Sequence, residues 1–162
     1  MKTVYLGLGS NLGNREANLR RAIDRLNAGG VHVLRESPTY ETAPMDVTSQ
    51  PWFLNLVLEA ETDLFPVQLL GRTSRIEIEM GRRRAVAKGP RLIDIDILLF
   101  GSAVVRTPKL EVPHPRMTER RFVLAPLADL APELRHPQTR RTIREHLAET
   151  AGQVVRRYHL SV

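Results

Sequence analysis

The segment Gly89-Pro90-Arg91-Leu92-Ile93-Asp94-Ile95-Asp96-Ile97-Leu98-Leu99-Phe100-Gly101 constrains this chain more than any other. Ile93, Ile95 and Ile97 alternate with Asp94 and Asp96 before the run turns wholly apolar. β-Branched residues in strict alternation predict a strand, whose successive side chains point to opposite faces. The two aspartates therefore share one face, roughly 7 Å apart by strand geometry. Two carboxylates that close repel each other, and partial burial sharpens the repulsion. A hard divalent cation would turn that repulsion into coordination. Neutralisation by neighbouring arginines is the alternative.

The rest of the chain supplies the frame. Residues 3–8 predict a strand, and the turn Gly-Ser-Asn-Leu-Gly-Asn follows it. Leu19, Ala22, Ile23 and Leu26 recur at helical spacing, with Asn14 as the cap and Gly29-Gly30 as the stop. Residues 31–36 predict a second strand, and residues 37–51, with three prolines and no period, a long mobile loop. From Trp52 the chain alternates: Trp52, Leu54, Leu56 and Leu58 on one face, Phe53, Asn55, Val57 and Glu59 on the other. Pro66 opens a helix with Leu69, Thr73, Ile76 and Met80 as its stripe.

Gly101-Ser102 predicts a hairpin into a short strand near Val104-Val105. Beyond it, Pro126 and Pro132 break a mixed segment, a helix is expected around 140–150 with Ile143 and Leu147 inward, and the tail predicts a last short strand. Strands and helices mix without βαβ repetition, which favours an α+β sandwich on a largely antiparallel sheet. At 162 residues, one domain spanning 1–162 is expected.

Only Lys2, Lys88 and Lys109 among the 24 basic residues are not arginine, and the net charge is +6. Arginine forks suit phosphates, so anionic partners are expected, although an arginine-rich solvated surface would give the same balance. The absence of cysteine excludes disulfides and thiolate metal sites. No apolar run is long enough to span a membrane, and the N-terminus is no secretory signal, so a cytoplasmic location is expected.

Gly7, Gly9 and Gly13 outline a dinucleotide fingerprint, but the spacing is wrong and no further βαβ units follow. The better reading is a strand-to-helix connection that needs positive φ. The basic run Arg82-Arg83-Arg84, with Lys88 and Arg91, immediately precedes the aspartates and could clamp a polyphosphate. No P-loop motif is present. Phe53 and Asn55, on one strand face, offer a ring and an amide edge to a flat heterocycle, with Phe122 as a second stacking face. Read alone, a core aromatic beside a satisfied asparagine is the commoner case. His114, between Pro113 and Pro115, is a candidate phosphate donor. The other four histidines show no ligand spacing.

Four blocks together carry a family resemblance. "GPRLIDIDILLFG" resembles the signature of the 6-hydroxymethyl-7,8-dihydropterin pyrophosphokinases of folate biosynthesis. "LGLGSNLGNREANLRRAI" resembles their N-terminus, "SPTYETAPMDVTSQPWFLNLVLEAET" their pterin loop and strand, and "VPHPRMTERRFVLAPLADLAPEL" their late segment. The resemblance implies a three-layer αβα sandwich on a ferredoxin-like core. It implies pyrophosphate transfer from ATP to the pterin's hydroxymethyl oxygen, with release of AMP.

By position, Asp94 and Asp96 would ligate two Mg²⁺ ions bound with ATP. Phe53 and Phe122 would stack on the pterin, with Asn55 at its edge and Thr42, Pro44 and Met45 completing the pocket. Glu77, Arg82, Arg83, Arg84, Arg91, Ile97, Lys109, His114 and Arg120 would bind the nucleotide, with Arg82, Arg91, His114 and Arg120 acting in catalysis. Loops near 10–14, 43–53 and 82–91 would close over both substrates. The expected partners are ATP and the pterin, with no nucleic acid or membrane, and the expected state is a monomer. Lys88, Pro115, Ser74 and Glu111 depart from residues common in the family. A metal-dependent nuclease or an RNA-binding module would also use the carboxylates or the charge, but either leaves Phe53 and Asn55 without a purpose or wants more aromatics.

Overall fold

The computed structural model describes residues 1–43, 51–81 and 91–159. In chain order the elements are β1 (Lys2–Ser10), α1 (Arg15–Ala28), β2 (Val31–Glu36), β3 (Tyr40–Thr42), β4 (Phe53–Thr62), α2 (Pro66–Glu79), β5 (Asp94–Phe100), β6 (Val105–Arg106), β7 (Glu111–Val112), α3 (Arg121–Leu130), α4 (Ile143–Ala148) and β8 (Val155–Arg157). The main sheet runs β5-β1-β4-β3-β8, with β2 also paired to β4, and every pairing is antiparallel.

Alternation divides the apolar residues between the two faces of that sheet. Val4, Leu6 and Leu8 of β1, Leu54, Leu56 and Leu58 of β4, and Ile95 and Ile97 of β5 pack with α1 and α2 through Leu19, Ile23, Leu26, Leu69 and Ile76. On the reverse face, Tyr5, Val57, Leu98 and Leu99 pack with Val123, Leu124 and Leu127 of α3 and Ile143 of α4. Two helical layers therefore enclose one sheet, the expected α+β sandwich. Among the described residues no helix is long and apolar enough to cross a membrane.

Local chemistry sets the element ends. The Asn14 side chain accepts the Ala17 N–H at the start of α1. The Gln68 side chain accepts the Phe65 N–H before Pro66 opens α2. Thr142 and Glu145 form a reciprocal capping box on α4. In β5 a bulge leaves Leu98 without a partner on β1: Tyr5 pairs with Leu99, but Leu6 pairs with Ile97. Leu98 and Leu99 thus both face α3.

Four expectations need correction. Residues 37–51 contain β3, which pairs with both β4 and β8. Gly101 turns the chain with φ +54, but β6 pairs with β7 in a separate two-stranded sheet and not back onto β5. Pro126 does not break its segment: α3 runs through it, losing only the hydrogen bond that a residue there would donate to the Phe122 carbonyl. Gly7 and Gly9 are strand residues, not a turn, and of the three motif glycines only Gly13 has positive φ, +69.

Candidate active site

The sheet face toward α3 carries the candidate residues of β4 and β5. On β4, Phe53 and Asn55 project to this face, opposite the buried leucines that pack on α1. On β5, Asp94 and Asp96 project to the same face and are half-buried. Between them runs β1, whose Gly9 pairs with Asn55 on one side and Asp94 on the other. Gly7 sits likewise between Val57 and Asp96. A cross-strand row of amide, glycine and carboxylate therefore spans about 10 Å by strand spacing, with a floor that has no side chain at its centre.

Each end of the row is oriented by neighbours. Asn55 is buried, and its Nδ2 donates to Thr42 Oγ1 at 2.8 Å. That bond points Oδ1 over Gly9, 2.9 Å from where a Cβ would stand, and Phe53 Cδ1 lies 3.5 Å from the same point. At the other end Arg91 Nη1 lies 3.2 Å from Asp94 Oδ1. Neutralisation by arginine thus operates at Asp94, while the Asp96 charge acts on His114.

His114 and Arg120 approach along the segment from β7 to α3. The Arg116 N–H donates to His114 Nδ1 at 3.2 Å, which leaves Nε2 to carry the proton of the neutral ring. Burial pushes the His114 pKa below the usual imidazole value, against the opposing pull of Asp96. The Arg120 guanidinium lies 5.5 Å over the Phe122 ring, joining the second stacking candidate to a cation.

Other expected residues are placed differently. Glu77 is buried on α2, and its Oε2 accepts the Ile95 N–H at 2.8 Å, so it fixes β5 directly beside the aspartates. The Ile97 side chain is in the core, which leaves only its backbone on the edge strand for a ligand. Lys109 is exposed in the β6–β7 connection. Pro44, Met45, Arg82, Arg83 and Arg84, and most of the loops expected near 43–53 and 82–91, lie outside the described residues.

Asn11 carries a role that sequence reasoning missed. It is 1% exposed, its Oδ1 accepts the Arg91 N–H at 2.7 Å, and its Nδ2 donates to the Pro51 carbonyl at 3.1 Å. Its own N–H donates to the Arg91 carbonyl at 3.0 Å. Asn18 holds the same turn, with Nδ2 donating to the Leu12 carbonyl and to Ser10 Oγ. One asparagine thus ties the turn after β1 to the segments that lead into β4 and β5. Nothing in its sequence surroundings distinguishes it from a turn-former.

The donor set suits a hard cation. Asp94 and Asp96 offer carboxylate oxygens on one strand face, and no cluster of three or more acidic, His or Cys side chains occurs among the described residues. A metal held here would take its remaining ligands from phosphate oxygens and water, the mode usual for Mg²⁺ with a polyphosphate.

A family model described as 7,8-dihydro-6-hydroxymethylpterin-pyrophosphokinase (HPPK) matches residues 5–132. The chain is 47% identical over 137 residues to the 2-amino-4-hydroxy-6-hydroxymethyldihydropteridine pyrophosphokinase of Bacillus subtilis, covering 84% of this chain and 82% of that one. It is 45% identical over 138 residues to the folic acid synthesis protein fol1 of Pneumocystis carinii, covering 85% of this chain. It spans 19% of fol1 and 25% of a mitochondrial folate synthesis bifunctional protein of Pisum sativum. The fold matches a crystal structure of Plasmodium falciparum HPPK-DHPS with pteroate, with a TM-score of 0.75 at 17% identity, over 93% of this chain and 42% of that one.

Proposed function

The chain belongs to the 7,8-dihydro-6-hydroxymethylpterin-pyrophosphokinase family, and on that premise we propose that it transfers pyrophosphate from ATP to the hydroxymethyl oxygen of 6-hydroxymethyl-7,8-dihydropterin. The products are AMP and the pterin diphosphate, a step of folate biosynthesis. The observation that carries this reading is the row Asn55–Gly9–Asp94. It sets a heterocycle-reading amide and a phosphate-side carboxylate about 10 Å apart by strand spacing across a flat floor.

The pterin lies on that floor. Phe53 and Phe122 stack on its faces, and Asn55, locked by Thr42, offers Oδ1 to its donor edge. Pro44 and Met45 close the pocket in this reading. The hydroxymethyl group then points along the row toward β5. Asp94 and Asp96 would hold two Mg²⁺ ions with ATP, and the ions would supply charge neutralisation for the polyphosphate and a lowered pKa for the attacking hydroxyl.

The protein supplies no nucleophile of its own. His114 Nε2–H, Arg91 and Arg120, with Arg82 and either Arg83 or Arg84, donate to phosphate oxygens on which charge develops as AMP departs. Holding both substrates in line converts a bimolecular attack into a local one. Glu77, Ile97 and Lys109 complete the nucleotide side. Residues 1–162 act in this reading as one pyrophosphokinase domain, monomeric and cytoplasmic, without a nucleic-acid or membrane partner.

The test is product identity. Purified protein with ATP and Mg²⁺ is incubated with and without 6-hydroxymethyl-7,8-dihydropterin, and the nucleotides are resolved by chromatography. Pterin-dependent AMP is expected. Pterin-dependent ADP would show attack at the γ-phosphorus, and the absence of pterin-dependent turnover would remove the reading.

A further inference from the structure

Behind the pterin face, on the α1 side of the sheet, the last strand closes over the sheet edge. β8 pairs with β3, placing Arg156 opposite Glu41 and Val155 opposite Thr42. Glu41 alternates with Thr42 and so lies on the reverse face. There its two carboxylate oxygens are taken by two guanidiniums. Arg15 Nη1 lies 2.9 Å from Oε2, and Arg156 Nη2 lies 2.8 Å from Oε1. Burial alone would raise the Glu41 pKa, but the two arginines outweigh it and hold the carboxyl below its usual range.

The same two arginines reach Trp52. The Arg156 guanidinium stacks 4.4 Å over the indole, and Arg15 Nη1 donates to the Trp52 carbonyl at 2.8 Å. Tyr158 adds a backbone N–H to the Thr39 carbonyl and a hydroxyl to Glu16 Oε1 at 2.7 Å. Arg15, Glu41, Trp52 and Arg156, together with Asn11 and Pro51, line a cleft of about 440 Å³. Both guanidiniums are already engaged, by the Glu41 carboxylate, the Trp52 carbonyl and the indole face, which suits a brace better than a ligand site.

The contacts at Glu41 and Trp52 each lie one residue from the pterin machinery. Glu41 precedes Thr42, whose hydroxyl orients Asn55, and Trp52 precedes Phe53. We infer that Arg156, acting with Arg15 through Glu41 and Trp52, is a positioning residue for the pterin pocket. It clamps the two chain segments that deliver Thr42 and Phe53 to the pocket. The inference rests on the function proposed above. Arg156 lies beyond residue 132, where the match to the family model ends. Two oxygens of one carboxylate gripped by separate guanidiniums, plus a cation stacked on an aromatic, make a geometry that lysine reproduces only in charge.

The experiment compares the full-length protein with Arg156→Ala and Arg156→Lys. Pterin affinity and, separately, Mg²⁺-ATP affinity are measured by calorimetry, and thermal midpoints are recorded. Trp52, the single tryptophan, reports the brace by fluorescence. Arg156→Ala should weaken pterin binding about tenfold, the loss of one charge-assisted contact set. Mg²⁺-ATP affinity should stay within about twofold, and the Trp52 emission should shift. Arg156→Lys should recover part of the pterin affinity. Unchanged pterin affinity in Arg156→Ala would overturn the inference and leave the function standing. Parallel losses for pterin, nucleotide and thermal midpoint would overturn it in favour of a general structural role. Failure of the unmodified protein to bind pterin would instead overturn the proposed function, and the inference with it.

Discussion

Gly9 and Asn55 are cross-strand partners, and a Cβ on Gly9 would stand 2.9 Å from Asn55 Oδ1. Asn55 cannot swing aside freely, because it is buried and bonded to Thr42. Gly9→Ala should therefore leave the fold intact, since the backbone there is extended, but push the amide off its partner. Pterin affinity should fall about tenfold, the worth of one well-made hydrogen bond, with nucleotide affinity unchanged. Calorimetric titration with each substrate checks this, and equal pterin affinity in the variant would refute it.

Asp96→Ala removes one of two carboxylates on the α3 face of β5. Turnover should fall by about three powers of ten or more, the scale of losing a preorganised transition-state charge contact. Metal-free pterin binding should stay near its original value. Initial rates of AMP formation beside a metal-free pterin titration give both quantities, and near-normal turnover would remove the two-metal mechanism.

Asn11→Ala leaves the part-buried Arg91 N–H and Pro51 carbonyl without the side chain that pairs them. Such orphaned groups cost about 1–3 kcal/mol. Urea unfolding should show a loss of about 2 kcal/mol with an unchanged slope. A loss under about 0.5 kcal/mol would mean that the staple is dispensable.

Stability should depend on pH through His136 and His146. Their rings meet edge to face at 5.9 Å, and burial lowers both pKa values from the usual 6.5. Around His146, Arg141 lowers its pKa further while Glu149 and Glu145 raise it, and His146 lowers that of His136. The folded state thus holds fewer protons than the unfolded chain below the usual value, so stability falls as pH drops below 6.5. Urea midpoints at about pH 7.5 and about pH 5.5 should differ in that direction. His146→Gln, which can still pair with Thr139, should shrink the difference. A difference as large in the variant would assign the effect elsewhere.

Much of the site is legible in the chain because strand alternation is local. The sharing of one face by Asp94 and Asp96, and by Phe53 and Asn55, follows from a two-residue period that needs no knowledge of neighbours. The stripe Leu69, Thr73, Ile76 and Met80 is legible for the same reason at helical period, and all four are buried. What the sequence hides is pairing. Gly9 matters because of what stands on β4 and β5, and no local pattern reveals those partners. β3 is three residues long, too short for a period, and exists because β4 and β8 flank it. Pro126 misleads because propensity charges the full cost of a helix-breaker, whereas packing of α3 on the sheet outweighs one missing hydrogen bond. Glu77 is readable as an acidic helix residue, but not as the acceptor of a strand N–H eighteen residues away.

The bulge at Leu98 divides β5 into two halves with separate tenancies. Ahead of it, the strand keeps strict alternation, so the aspartates and the isoleucines behind them hold opposite faces. After it, the phase is reset, and Leu98 and Leu99 can both serve the α3 layer. A lineage could therefore redesign the packing beneath α3 and α4 while the carboxylates keep their aim, because the surplus residue absorbs the change in phase. Deleting that one residue would couple the two histories again, and every later adjustment of the core would have to be negotiated with the chemistry.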